Sequence, residues 1–334
     1  MSDQLALFDI APVEEPDEYA VQLRRTHEEA AAVAARLPAN VFFGTSSWSF
    51  PGWRGIVYSR QTTQASLARE GLREYSTHPL LTTVGVDRSY YAPMPVEDLR
   101  RYAEQLPATF RCCFKAPAAV TAMSLGAPGR QSRNPDFLSV GRLVDDLLRP
   151  CDLAFAAHTG PIVLEFPPFP RGTRVDLAEF QSGLDRFLGE LPKQFEYAVE
   201  LRDTRLLTPT YRDMLVRRGV AHTFNYWSAM PTPGEQTAVV PPEEADFSVV
   251  RLLLRPGTWY EDQRERFQPF DRLVEPDTSM RADVVAIARR VVNRGRRVYV
   301  LVNNKAEGSS PLTVMALARA LADATTQPSA GDAS

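Results

Sequence analysis

The sequence predicts a single-domain (β/α)₈ barrel, and three observations carry that reading. Eight short runs rich in β-branched or aromatic residues recur along the chain. Helical patterns separate most of them, which is the signature of a parallel sheet. Polar residues gather where the runs end, while the run starts are mostly apolar. No GxGxxG follows the first run, so closure into a barrel is preferred to an open doubly wound sheet.

In order, the runs are 41–46, 81–86, 110–115, 161–166, 195–201, 219–224, 247–253 and 297–303. Ahead of them, residues 1–40 read as an acidic tail (1–16) and a helix from Asp17 to Leu37, stopped by Pro38. The barrel is expected over 41–324, with a disordered tail at 325–334. Before the fourth run, Phe137, Val140, Val144, Leu147 and Leu148 fall at helical spacing. After it, Leu177, Phe180, Leu184, Phe187 and Leu188 do the same, and Asp176 with Glu179 suggests a capping box. Thr208-Pro209 and Ser310-Pro311 each place an N-cap residue before a proline at the first helical position. Val284, Val285, Ala288, Val291 and Val292 form the helix before the last run. The Pro-rich segment 227–246 shows no clear helix.

Composition narrows the function classes. At 334 residues and 44% hydrophobic content, the chain can bury a large core. The formal net charge of -3 offers no bulk basic surface for nucleic acid, so such a partner would need a local patch. The candidates are the aromatic and charged segment 255–275 and the strip Arg289-Arg290, Arg294, Arg296-Arg297, and the first is as acidic as it is basic. Three cysteines without CxxC spacing point to a reduced, cytoplasmic protein. The start lacks a secretory pattern, and no apolar run reaches the ~18 residues that span a bilayer.

In parallel barrels, chemistry sits where strands end. The run ends carry Ser46-Ser47-Trp48, Asp87 with Tyr90-Tyr91, Lys115, Glu165, Glu200 with Arg202, Asn225 before Tyr226-Trp227, Arg251, and Asn303-Asn304-Lys305. Buried charge costs several kcal/mol unless paired, so this pattern marks a pocket. Candidate catalytic residues are Glu165, Glu200 and Lys115, and candidate substrate-binding residues are Trp48, Tyr91, Arg202, Arg251, Asn303, Asn304 and Ser310. Each has two readings. Glu165 and Glu200 are an acid/base pair or part of a salt-bridge network with Lys115 and Arg202. Lys115 is an ion-pair partner or anion clamp, ranked above a nucleophile. Trp48 and Tyr91 stack on a flat ligand or plug the barrel top. The 308–310 segment is an anion site at a helix N-terminus, helped by Lys305 and Arg251, or an ordinary cap. No cofactor motif and no histidine-based metal site is present; only Asp87, Glu165 and Glu200 would suit a hard ion. The long segments 116–134, 227–246 and 255–278 follow run ends and are candidate lids.

The chain also resembles the family catalogued as domain of unknown function 72 (DUF72, YecE-like), from about Val41 to Leu321. The marks are Gly44-Thr45-Ser46-Ser47-Trp48 with Gly52-Trp53-Arg54-Gly55 and Tyr58, Tyr90-Tyr91 with Pro93, and Phe114-Lys115-Ala116-Pro117. Gly160-Pro161 through Pro167-Pro168, Val199-Glu200-Leu201-Arg202, Arg251 and Val302-Asn303-Asn304 complete them. The resemblance implies a barrel and supplies no activity. Against the family pattern, Gly85 replaces a Glu, Thr121-Ala122 a Thr-His, Glu165 a Gln and Leu253-Leu254 a His-Gly, and the Trp expected after Glu-x-Arg is missing. These differences imply a divergent subfamily with another ligand, or one that has lost its chemistry. The expectation is an enzyme, a hydrolase or lyase, acting on a small anionic or polyhydroxylated molecule. The alternatives are a non-catalytic binding protein or pseudoenzyme and a nucleic-acid-processing protein.

Overall fold

A computed structural model describes residues 17–126, 130, 132–169 and 176–326. Eight parallel strands close into a barrel: β1 (Val41–Thr45), β2 (Thr83–Val86), β3 (Arg111–Lys115), β4 (Thr159–Phe166), β5 (Tyr197–Leu201), β6 (Ala221–Tyr226), β7 (Phe247–Leu252) and β8 (Arg297–Val302). Each strand pairs with its neighbour in sequence, and β8 returns to pair with β1. All eight expected runs are strands, with ends displaced by two residues or so; β6, for instance, runs on to Tyr226.

Alternation along the strands splits the apolar residues into two cores. Outward residues such as Phe43, Leu164, Val199 and Phe224 pack beneath the helices. Inward residues form a second cluster of Cys113, Val163, Ala198, Ala221, Phe247, Val249, Tyr299 and Leu301. The rings of Phe42 and Tyr299 stack 4.8 Å apart within it. Glycine lets β1 and β2 approach closely: a Cβ on Gly44 would lie 2.0 Å from the Thr83 carbonyl oxygen.

Local chemistry accounts for the helices. Leu177–Glu190 buries Phe180, Leu184, Phe187 and Leu188, and Asp176 caps it by accepting from the N–H groups of Ala178 and Glu179. Burying each such side chain contributes about 1.5–3 kcal/mol relative to exposure. Pro209–Arg218 starts on the Thr208 hydroxyl and stops at Gly219, whose φ of 65° suits glycine. Glu18–Ala34 lies ahead of the barrel, capped by Asp17; residues 1–16 lie outside the described residues.

Three expectations change. Segment 227–246 does contain a helix, Pro233–Gln236, closed by a Thr232/Glu235 capping box. It takes the place of a sixth barrel helix rather than of a lid: Gln236 hydrogen-bonds His222 and Asn225 of β6. The last helix extends to Thr326, two residues into the expected tail, and 327–334 lie outside the described residues. That helix begins at Ser310 itself, so Ser310 is not its N-cap.

Candidate functional site

A register shift prepares the site. Pro161 has no N–H to give β3, and the β3–β4 pairing slips between Cys112 and Phe114. Beyond the slip, Glu165 stands level with Glu200 on the neighbouring strand. Two carboxylates side by side repel unless cations separate them. Two arginines do, and a lysine adds to them: Glu165 Oε2 lies 2.8 Å from Arg202 Nη2, 3.1 Å from Arg251 Nη1 and 2.9 Å from Lys115 Nζ. Arg251 reaches across the lumen from β7 to Glu200 Oε2 at 2.5 Å and to Asp87 Oδ1, beyond β2, at 3.2 Å. Arg202 sits 2.6 Å from Glu200 Oε1, close enough to pair but not aligned for a hydrogen bond.

Aromatic rings cover two of the cations. Lys115 Nζ is 3.6 Å from the centroid of the Tyr90 ring, and the Arg202 guanidinium is 4.0 Å from that of Trp227. Glu200 is completely buried, and Lys115, Glu165, Arg202 and Arg251 are each less than a tenth exposed; Asp87 is the open member. Among the described residues, the Nε atoms of Arg202 and Arg251 are buried without a hydrogen-bond partner.

The electrostatics follow from that geometry. Burial alone would raise the Glu165 carboxyl, but the charges of Arg202, Lys115 and Arg251 outweigh it and hold it well below the ordinary carboxylate range. Glu165 is therefore ionised at neutral pH and lacks the raised carboxyl that a proton donor needs. Burial opposes the charge on Arg251 too, yet Glu200, Asp87 and Glu165 strengthen it. Burial, reinforced by Glu165, raises the Tyr90 phenol, which stays protonated.

The candidate residues divide. Lys115, Glu165, Glu200, Arg202 and Arg251 come together in one network. Trp48 does not join it: it is buried against Tyr102, and its indole N–H donates to the Leu67 carbonyl. Tyr91 is 80% exposed on the rim, and it is Tyr90 that meets Lys115. Asn303 caps the following turn by accepting from the Lys305 N–H. Asn304 and Ser310 are buried on one another: Asn304 Oδ1 accepts from the Ser310 N–H and hydroxyl, each at 2.8 Å, and from the Trp53 indole. The first N–H of that helix, on Ser310, is thus taken by the chain's own Asn304. Asp87, Tyr90 and Trp227 also belong to the site, although none of them is among the candidate catalytic or substrate-binding residues. Among the described residues, no three His, Cys, Asp or Glu side chains are grouped to hold a metal ion. No helix of the described residues is long and apolar enough to cross a membrane.

Known proteins place this architecture. A DUF72 structure from Thermotoga maritima (TM1631) aligns at a TM-score of 0.58 and 20% identity, covering 84% of this chain and 98% of its own. One from Enterococcus faecalis (EF0366) aligns at 0.58 and 17%, covering 85% and 95%. No curated protein matches the sequence. The model of the family described as "Protein of unknown function DUF72" matches residues 42–333, and the chain belongs to that family.

Proposed function

We propose that the C-terminal face of the barrel binds a small anionic or polyhydroxylated molecule and acts on it as a hydrolase or lyase. Lys115 and Arg202 hold the negative charge that develops, and Asp87, the open carboxylate, moves protons. The observation that carries this reading is the cluster of three buried cations, Lys115, Arg202 and Arg251, at the C-terminal face, with the half-open Asp87 carboxylate beside them.

A non-catalytic binding protein is the second reading. It is favoured by the three cations already on Glu165 Oε2, which close proton transfer through that group at neutral pH. Nucleic acid has no comparable support. Arg290 pairs with Glu243, Arg296 donates to the carbonyls of Glu243 and Ala245, and Arg297 pairs with Glu196.

The test is a thermal-shift and mass-spectrometric screen of sugar phosphates, sugar acids and uncharged sugars on wild type, Glu200→Gln and Asp87→Asn. Stabilisation of wild type that Glu200→Gln abolishes, with product that Asp87→Asn abolishes, is the expected result. Stabilisation without product in any protein establishes the binding reading. No ligand at all overturns both.

A further inference from the structure

Every deeply buried cation described above has a carboxylate within pairing distance, with one exception. Lys305 lies in the turn Asn304–Ala306, immediately beyond the C-terminal end of β8 and so on the same face as the network. It is 7% exposed, yet among the described residues no carboxylate lies within 4 Å of its ammonium and it makes no side-chain hydrogen bond. Its one partner is a ring: Nζ is 4.1 Å from the centroid of Tyr260.

The neighbouring acid does not fill the gap. Glu307, two residues away, is fully buried, and its carboxylate is taken by Arg281 at 2.9 Å and by the Asp277 N–H at 2.6 Å. A ring face compensates less than the desolvation of an ammonium costs. The ammonium is nevertheless not among the unpartnered groups sealed from solvent, so an incoming ligand can reach it. Its neighbourhood is aromatic and open. Tyr260 is 47% and Trp259 72% exposed, and Tyr260 is close enough to Tyr91, on the far rim of the network, to disfavour its phenolate.

We propose that Lys305 is the anchoring cation for an oxyanion on the ligand, a phosphate or carboxylate group, and that Tyr260 covers it while the exposed rings pack against the skeleton that carries the anion. The inference rests on the C-terminal face being a ligand site, and it narrows the ligand to an oxyanion-bearing molecule with a ring or apolar portion. The network of Lys115, Arg202 and Arg251 is already neutralised by Glu165, Glu200 and Asp87. Lys305 therefore supplies the uncompensated positive charge that selects an anion over a neutral analogue.

Calorimetry and thermal shift on the full chain test this with four probes: inorganic phosphate, phenyl phosphate, benzoate and the uncharged phenyl glucoside. Wild type is expected to bind phenyl phosphate or benzoate, and which of the two wins distinguishes phosphate from carboxylate. Lys305→Met is expected to weaken that binding at least tenfold, to leave phenyl glucoside within twofold, and not to lower the melting temperature of the free protein. Lys305→Arg is expected to restore binding, and it keeps the proposal testable if the methionine variant misfolds. Anion binding by Lys305→Met within twofold of wild type overturns the inference. If Arg202→Gln then loses that binding, the network still stands as the ligand site. If wild type binds none of the four probes, the site reading and the inference fall together.

Discussion

Glu200→Gln is the sharpest perturbation of the network, because it keeps the shape and removes one charge. The Glu200 carboxylate is completely buried and faces Arg251 at 2.5 Å and Arg202 at 2.6 Å. Glutamine leaves the same three cations facing one carboxylate fewer, in a region where water cannot compensate. Removing one partner of a buried ion pair costs about 3–5 kcal/mol, mostly as the desolvation of the charge left behind. With an unfolding entropy of roughly 2.1 cal/mol/K per residue, a chain of this length loses about 4–7 °C of melting temperature. Calorimetry in low and high salt is the assay. The drop should persist at 1 M NaCl, since a buried pair is screened little. A shift under 1 °C, or one that salt erases, would mean that the network stands in water and is not a dehydrated cluster.

Other consequences follow from burial. His78 and His222 are pushed down to about 3 and about 4, in both cases chiefly by burial. A histidine that stays neutral when folded takes up its proton on unfolding, so stability should hold above pH 6.5 and fall below it, by up to about 1.4 kcal/mol per pH unit for each histidine. Glu165, held low in the folded state, adds a second loss that begins as pH drops below 4.5. Urea denaturation across pH 2.5–8 measures both, and constant stability between pH 7 and 5 would contradict the histidine assignment. Trp48→Phe removes one of two donors from the Leu67 carbonyl, which keeps the Gly71 N–H, and should cost about 0.5–1.5 kcal/mol for the hydrogen bond while leaving ligand affinity within twofold; affinity lost at unchanged stability would return Trp48 to the ligand site. All three cysteines are buried, with Cys113 and Cys151 raised to about 12 by burial, so no thiol should react with Ellman's reagent until denaturant is added. One thiol reacting within seconds in the native protein would refute that.

Much of the site was legible because strand periodicity is simple. Glu200 and Arg202 stand two apart and so share a face, and Lys115, Glu165 and Arg251 fall at strand ends where a barrel turns polar. Legibility stopped where the chain leaves the strand. Tyr90 and Tyr91 look equivalent in sequence, but the chain turns into the short helix Arg88–Tyr91 and only Tyr90 comes to lie against Lys115. Trp48 and Trp227 both follow strand ends, yet one packs under the barrel helices and the other covers Arg202. Ser310 before Pro311 has the pattern of a cap, and the cap came instead from Asn304, six residues back.

By itself, the sequence determined the barrel, its eight strands and the end at which charge would collect, because each depends on a periodicity or spacing within one segment. Only the tertiary structure decided that Arg251 reaches across the lumen to Asp87, that three cations share one oxygen of Glu165, and that among the described residues no carboxylate comes within 4 Å of the Lys305 ammonium. These are contacts between residues tens to hundreds of positions apart. Closure of the sheet sets their distances, and no local pattern encodes them.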